Sequence, residues 1–79
     1  MNKILLKITN ALSNQDGVYN ITLTGKKTNN IETDTFYYYY KNNKHAINVS
    51  PLKNNNEKFN ISFYSFIDNK FTKVEEIIY

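Results

Sequence analysis

The sequence predicts an α+β fold, with one N-terminal helix packed on one face of a four- or five-stranded antiparallel sheet. Three observations point there. Apolar residues recur at helical spacing near the N-terminus, over residues 3–13. Beyond Gly17 the chain becomes a series of β-branched and aromatic runs, among them Phe36-Tyr37-Tyr38-Tyr39-Tyr40. Asn-rich breaks at Asn29-Asn30, Asn42-Asn43 and Asn54-Asn55-Asn56 separate those runs. Asn tolerates the left-handed backbone region and bonds its own main chain, so these breaks read as turns. An all-β meander is the competing architecture.

The choice between the two rests on residues 3–13. As a helix, Ile4, Leu5, Ile8, Ala11 and Leu12 share one face, with Lys3, Lys7 and Asn10 opposite and Leu6 off the stripe. As a strand, Ile4, Leu6 and Ile8 would align, leaving Ala11 and Leu12 without a role. The helix accounts for more of the residues, and Asp16-Gly17 would then end it. Val18–Thr24 alternates as a strand and Gly25–Asn30 reads as a polar turn. Ile31–Tyr40 is a long strand, Lys41–Lys44 a turn, and His45–Ser50 a short strand closed by Pro51, which cannot donate to a ladder. Lys53–Glu57 is a further polar turn, followed by a strand over Lys58–Ile67. Asp68-Asn69 suits a two-residue hairpin turn, which favours a last strand over Lys70–Tyr79. A capping box from Thr72 to Glu75 would instead start a short helix there.

At 79 residues the chain has the size of one domain, 1–79, and a core of limited area. There is no cysteine, so neither a disulfide nor a thiolate metal ligand is available. Apolar residues at 41% and aromatics at 15% argue against a disordered chain. The net charge of +3 comes entirely from Lys, since Arg is absent. Lys, Asn, Ile, Tyr and Phe share AT-rich codons, so composition reflects a genome bias as much as a partner. No stretch has the roughly 18 apolar residues of a membrane span. Met1-Asn2-Lys3-Ile4-Leu5-Leu6 begins like a signal peptide, but Lys7 cuts its apolar run well short of the 7–15 residues a signal core needs, so a cytoplasmic location is expected.

Alternation along strands suggests two faces. Tyr19, Ile21, Leu23, Tyr37, Tyr39, Ile47, Val49, Phe59, Ile61, Phe63 and Ile67 form an expected core face. The opposite face would carry Glu32, Asp34 and a surplus of rings: Phe36, Tyr38, Tyr40, Tyr64 and Phe66. Rings on strands stabilise cross-strand pairs by about 0.2–1 kcal/mol, which accounts for some of them. As a contiguous exposed group they form the candidate binding surface, because aromatic side chains are enriched in interface cores. Lys26, Lys27, Lys41 and Lys44 are its candidate electrostatic rim.

No catalytic group is expected. His45 is the sole histidine, and nothing in the sequence supplies it with a nucleophile or an orienting group. Gly17 and Gly25 are isolated, so there is no phosphate-binding loop, and no Cys/His cluster builds a metal site. No cofactor is expected. Single-strand nucleic-acid binding would use rings and lysines together. Against it stand the absence of Arg and the presence of Glu32 and Asp34 on the aromatic strand.

In length, AT-rich bias and compact α+β pattern the chain looks like the small single-domain proteins of phages and mobile elements, including the anti-CRISPR proteins. The resemblance lies in overall character and carries over no site residue. It implies a non-catalytic inhibitor that blocks a host defence nuclease complex by protein–protein contact. A single-stranded nucleic-acid binder and a self-assembling subunit, such as a homodimer, are the alternatives.

Overall fold

The computed structural model describes residues 3–53 and 55–79. Met1-Asn2, the start of the signal-like segment, and Asn54, in the expected Lys53–Glu57 turn, lie outside the described residues, and the rest of that turn from Asn55 onward is already strand β4. Helix α1, Lys3–Ser13, is followed by strands β1 Val18–Thr28, β2 Ile31–Tyr40, β3 Asn43–Leu52, β4 Asn55–Ile67 and β5 Lys70–Ile78. The strands form one antiparallel sheet in the order β1-β2-β3-β4-β5, and the helix covers one of its faces. This is the predicted α+β architecture, and the alternatives of a strand at residues 3–13 and a helix at residues 71–79 both drop out.

Helix α1 forms because its apolar stripe has a sheet to lie on. Ile4, Leu5 and Leu12 are buried, Ile8 packs against the core, and off-stripe Leu6 is exposed. The chain leaves the helix through hydrogen bonds from the Asn14 and Gln15 amides to the Asn10 and Leu12 carbonyls. Gly17 then turns it at φ 87, a conformation that strains any side chain. Gly17 lies against the Tyr40 ring.

Two of the three hairpin turns are tighter than the sequence suggests, and the third, Asp68-Asn69, is the expected two-residue turn. Each has two central residues at positive φ: Asn29-Asn30, Lys41-Asn42 and Asp68-Asn69. That is the type I′ pattern, whose twist matches that of the flanking strands. The expected Gly25–Asn30 turn is therefore mostly strand, because a two-residue turn leaves Gly25–Thr28 free to pair with Ile31–Asp34. The Lys41–Lys44 turn shrinks in the same way. Pro51 does not end β3, which runs on to Leu52, but the register slips directly after it, where a missing donor is tolerated.

Turn parity overturns the expected faces, since an even-numbered turn, whether of the expected four residues or the observed two, pairs even positions of β2 with odd positions of β3. A two-residue turn at Lys41-Asn42 pairs Tyr40 with Asn43, and hence Phe36 with Ile47 and Tyr38 with His45. Even positions of β2 thus align with odd positions of β3. Phe36, at 1% exposure, joins Ile47, Val49 and Ile61 beneath the helix. Tyr38 packs on the same cluster, and Tyr37 and Tyr39 point the other way. In β1 the register shifts between Tyr19 and Thr22, around Asn20 at φ 56. This bulge sends Val18, Ile21 and Leu23 toward the helix side and Tyr19 to the outer face.

Candidate functional site

The outer face is the side of the sheet that the helix leaves uncovered. Its middle is a polar row running across all five strands. The Thr24 hydroxyl lies 3.4 Å from the Thr35 carbonyl, and the Asn48 amide donates to the Thr35 hydroxyl at 2.9 Å. The buried Ser62 hydroxyl donates to the Glu76 carboxylate at 3.1 Å, and Lys73 pairs with the same carboxylate at 2.5 Å. That pairing holds the Glu76 pKa below its ordinary value, mainly through the Lys73 hydrogen bond and then Ser62, and raises that of Lys73.

Beside this row lies a cluster of rings. Tyr19 and Tyr39 stack across β1 and β2 with centroids 5.4 Å apart. Phe66 and Phe71, opposite each other across the Asp68-Asn69 hairpin, meet edge-to-face at 5.3 Å. Tyr37 reaches Phe71 at 5.8 Å, and the Lys44 ammonium sits 5.1 Å from the centre of the Phe66 ring. Tyr37, Ala46, Tyr64 and Phe71 line an open depression of about 200 Å³ with the ends of Thr35 and Asn48. The rings bury Ala46 yet remain substantially open themselves: Tyr19 is 45% exposed, Tyr37 40% and Phe71 39%. Such an arrangement has the flat, apolar character of a contact surface.

The five sequence-predicted surface residues do not share a face. Tyr64 and Phe66 belong to the outer cluster. Phe36 is core, and Tyr38 and Tyr40 lie on the helix side, where burial raises the Tyr38 pKa. The expected rim divides as well. Register puts Lys26 and Lys44 on the outer face and Lys27 opposite Glu32 on the helix side, while Lys41 lies over the Tyr40 ring. Tyr19, Tyr37, Tyr39 and Phe71 are the residues sequence reasoning missed. A parity count across a two-residue turn would have found Tyr37 and Tyr39.

Glu32 and Asp34 also change sides. Asp34 pairs with Val49 and Glu32 with Lys27, so both carboxylates belong to the helix-side face. Burial, then repulsion from Glu32, raises the Asp34 pKa. The electrostatic objection to a polyanion on the aromatic strand is thereby removed.

Elsewhere, His45 Nδ1 lies 3.1 Å from the Ser65 hydroxyl and its ring stacks on Tyr38 at 5.3 Å. This cross-strand pair has no carboxylate bonded to the ring among the described contacts, so it has no triad geometry. An apolar seam of about 340 Å³ runs between helix and sheet past Ile8, Leu12, Ile61 and Phe63. Lys7 donates to the Tyr79 hydroxyl, and both line the seam. Gln15 and Tyr38 are the other polar residues of its otherwise apolar lining. No group of residues able to hold a metal ion occurs among the described residues, and no described helix is long and apolar enough to cross a membrane. No protein-family model, curated protein or solved structure matches the chain.

Proposed function

We propose that the chain is a binding protein that acts by stoichiometric contact, without a reaction of its own, and that the outer aromatic face is its working surface. The observation that carries this is the cluster of Tyr19, Tyr37, Tyr39, Phe66 and Phe71 on the side of the sheet away from the helix. A sheet face that is merely solvated is polar, as the Thr24-to-Glu76 row is. Rings held in mutual contact present large area at low entropic cost, as interface cores do. With Lys44 over Phe66, and with Glu76 neutralised by Lys73, the face suits a partner that carries negative charge.

The finer reading is inhibition of a host defence nuclease complex, of the kind anti-CRISPR proteins perform. Size and composition support it. The sign of the face limits the means: a lysine-bearing surface does not imitate nucleic acid, so blockade would cover an acidic surface or a strand the complex works on. Affinity capture from extracts of the cells that make the chain tests the reading. The tagged wild type and the variant Tyr19→Ala/Tyr37→Ala/Phe71→Ala are compared after circular dichroism shows equal fold. Selective loss of a captured partner in the variant is the expected result. Capture indifferent to all three substitutions refutes the choice of surface.

A further inference from the structure

We infer that the seam between helix α1 and the sheet binds a single-chain aliphatic carboxylate, its tail held between helix and sheet and its head on Lys7 and Tyr79. This site lies across the sheet from the ring cluster and does not depend on the function proposed for that face.

The space exists because one helix cannot cover the sheet. Five strands span about 19 Å between edge strands at the usual spacing, whereas a helix with its side chains is about 10–12 Å across. Helix α1 makes its closest approach to β1. Its buried stripe closes over Phe36, Ile47 and Val49, while apolar side chains toward β5 stay partly open: Phe63 is half-buried and Ile77 is 38% exposed. The resulting seam of about 340 Å³ falls within the range of small-molecule sites. Ile4, Ile8 and Leu12 recur along its helix wall, a run of about 12 Å at 1.5 Å per residue. A channel that follows a helix for that distance suits an extended alkyl chain better than a compact ring.

The chemistry at its mouth selects the head group. Tyr79 is fixed there by reciprocal backbone hydrogen bonds with Phe59, each 2.9 Å. Its hydroxyl oxygen accepts from Lys7, which leaves the phenolic proton to donate outward and two further N–H groups on the ammonium. A cationic donor beside a neutral one matches the two oxygens of a carboxylate. Lys7 has no carboxylate partner among the described residues. No Asp or Glu among them lines the seam or the adjoining open hollow of about 450 Å³, whose wall adds Lys3. Gln15 and Tyr38 supply only neutral groups. An anionic head on an apolar tail is therefore the ligand that satisfies both the lysines and the aliphatic walls.

Isothermal titration calorimetry of the full chain with decanoate at neutral pH tests this. Decanol and decyltrimethylammonium present the same tail with a neutral or a cationic head. Decanoate is expected to bind tightest, and octanoate to bind more weakly by up to about fourfold for each methylene removed. Lys7→Gln should weaken decanoate about tenfold and leave decanol unchanged, a split that a purely structural lysine would not produce. Ala11 is an exposed helix position on the seam wall. Ala11→Leu fills the seam with a good helix former and should weaken every decyl ligand by at least about tenfold. Circular dichroism checks each fold, and Lys7→Gln keeps the test decisive if Ala11→Leu disturbs the helix. Absence of decanoate binding overturns the inference, even if vesicles of anionic phospholipid bind. Equal binding of decyltrimethylammonium overturns the assigned head group. Decanoate binding that survives Ala11→Leu, or that is lost in Tyr19→Ala/Tyr37→Ala/Phe71→Ala, refutes the seam as the site.

Discussion

Phe36 and Tyr37 are neighbours in an aromatic run, and the sheet treats them oppositely. Phe36 is 1% exposed beneath the helix, whereas Tyr37 is 40% exposed on the outer face. Truncating a buried Phe to Ala costs about 3–5 kcal/mol, transfer and cavity together. At 0.05–0.15 kcal/mol per residue, a chain of 79 residues has a total stability of about 4–12 kcal/mol, so Phe36→Ala removes a large part of it and is expected to populate the unfolded state. Phe36→Leu is the measurable version, at about 1–2 kcal/mol, and about 4–8 °C of midpoint per kcal/mol makes it visible in a thermal melt. Tyr37→Leu removes an exposed ring and should cost about 0.5 kcal/mol or less. Urea titrations followed by circular dichroism, with a shared denaturant slope, give both values. If Tyr37→Leu costs as much as Phe36→Leu, β2 does not face as described, and the outer face loses its central ring.

Two further expectations follow from local features. Lys41 holds φ 52 in a turn that favours Asn or Gly, so Lys41→Asn should stabilise the hairpin by up to about 1 kcal/mol, and a lowered urea midpoint would contradict the I′ assignment. The two perturbed carboxylates should act oppositely with pH. Glu76 has a folded pKa below 4.5, so its contribution is present above that value and is lost as pH falls through the folded pKa; Glu76→Gln should lower the midpoint at neutral pH and converge with wild type in acid. Asp34 has a folded pKa above 3.8, so stability is greatest below that value and declines as pH rises through the folded pKa; Asp34→Asn should raise the midpoint at neutral pH, with the difference closing below 3.8. Shifts of the same sign in the two variants would refute the assigned environments.

The identity of the elements was legible in the residues. Helix α1 follows from the 3.6-residue spacing of Ile4, Leu5, Ile8 and Leu12, and the strands follow from β-branched and aromatic runs cut by Asn and Gly. The Phe66–Phe71 contact was within reach too, because the Asp68-Asn69 hairpin aligns those rings. Where each ring points was not legible in the aromatic run taken by itself. Five successive aromatics satisfy either choice of inward set equally well, so composition cannot separate Phe36 and Tyr38 from Tyr37 and Tyr39.

Two backbone features of the folded sheet made that separation. The Lys41-Asn42 turn has an even number of residues, so it pairs even positions with odd ones between β2 and β3. The bulge at Asn20 consumes one residue of β1, so Tyr19 and Ile21 look in opposite directions although they are two apart. A one-residue change of register reverses every side chain beyond it. Local propensity thus determines that this chain makes a helix and five strands. Only the pairing of those strands determines that its uncovered rings gather on one face beside Lys44, with Glu32 and Asp34 on the other.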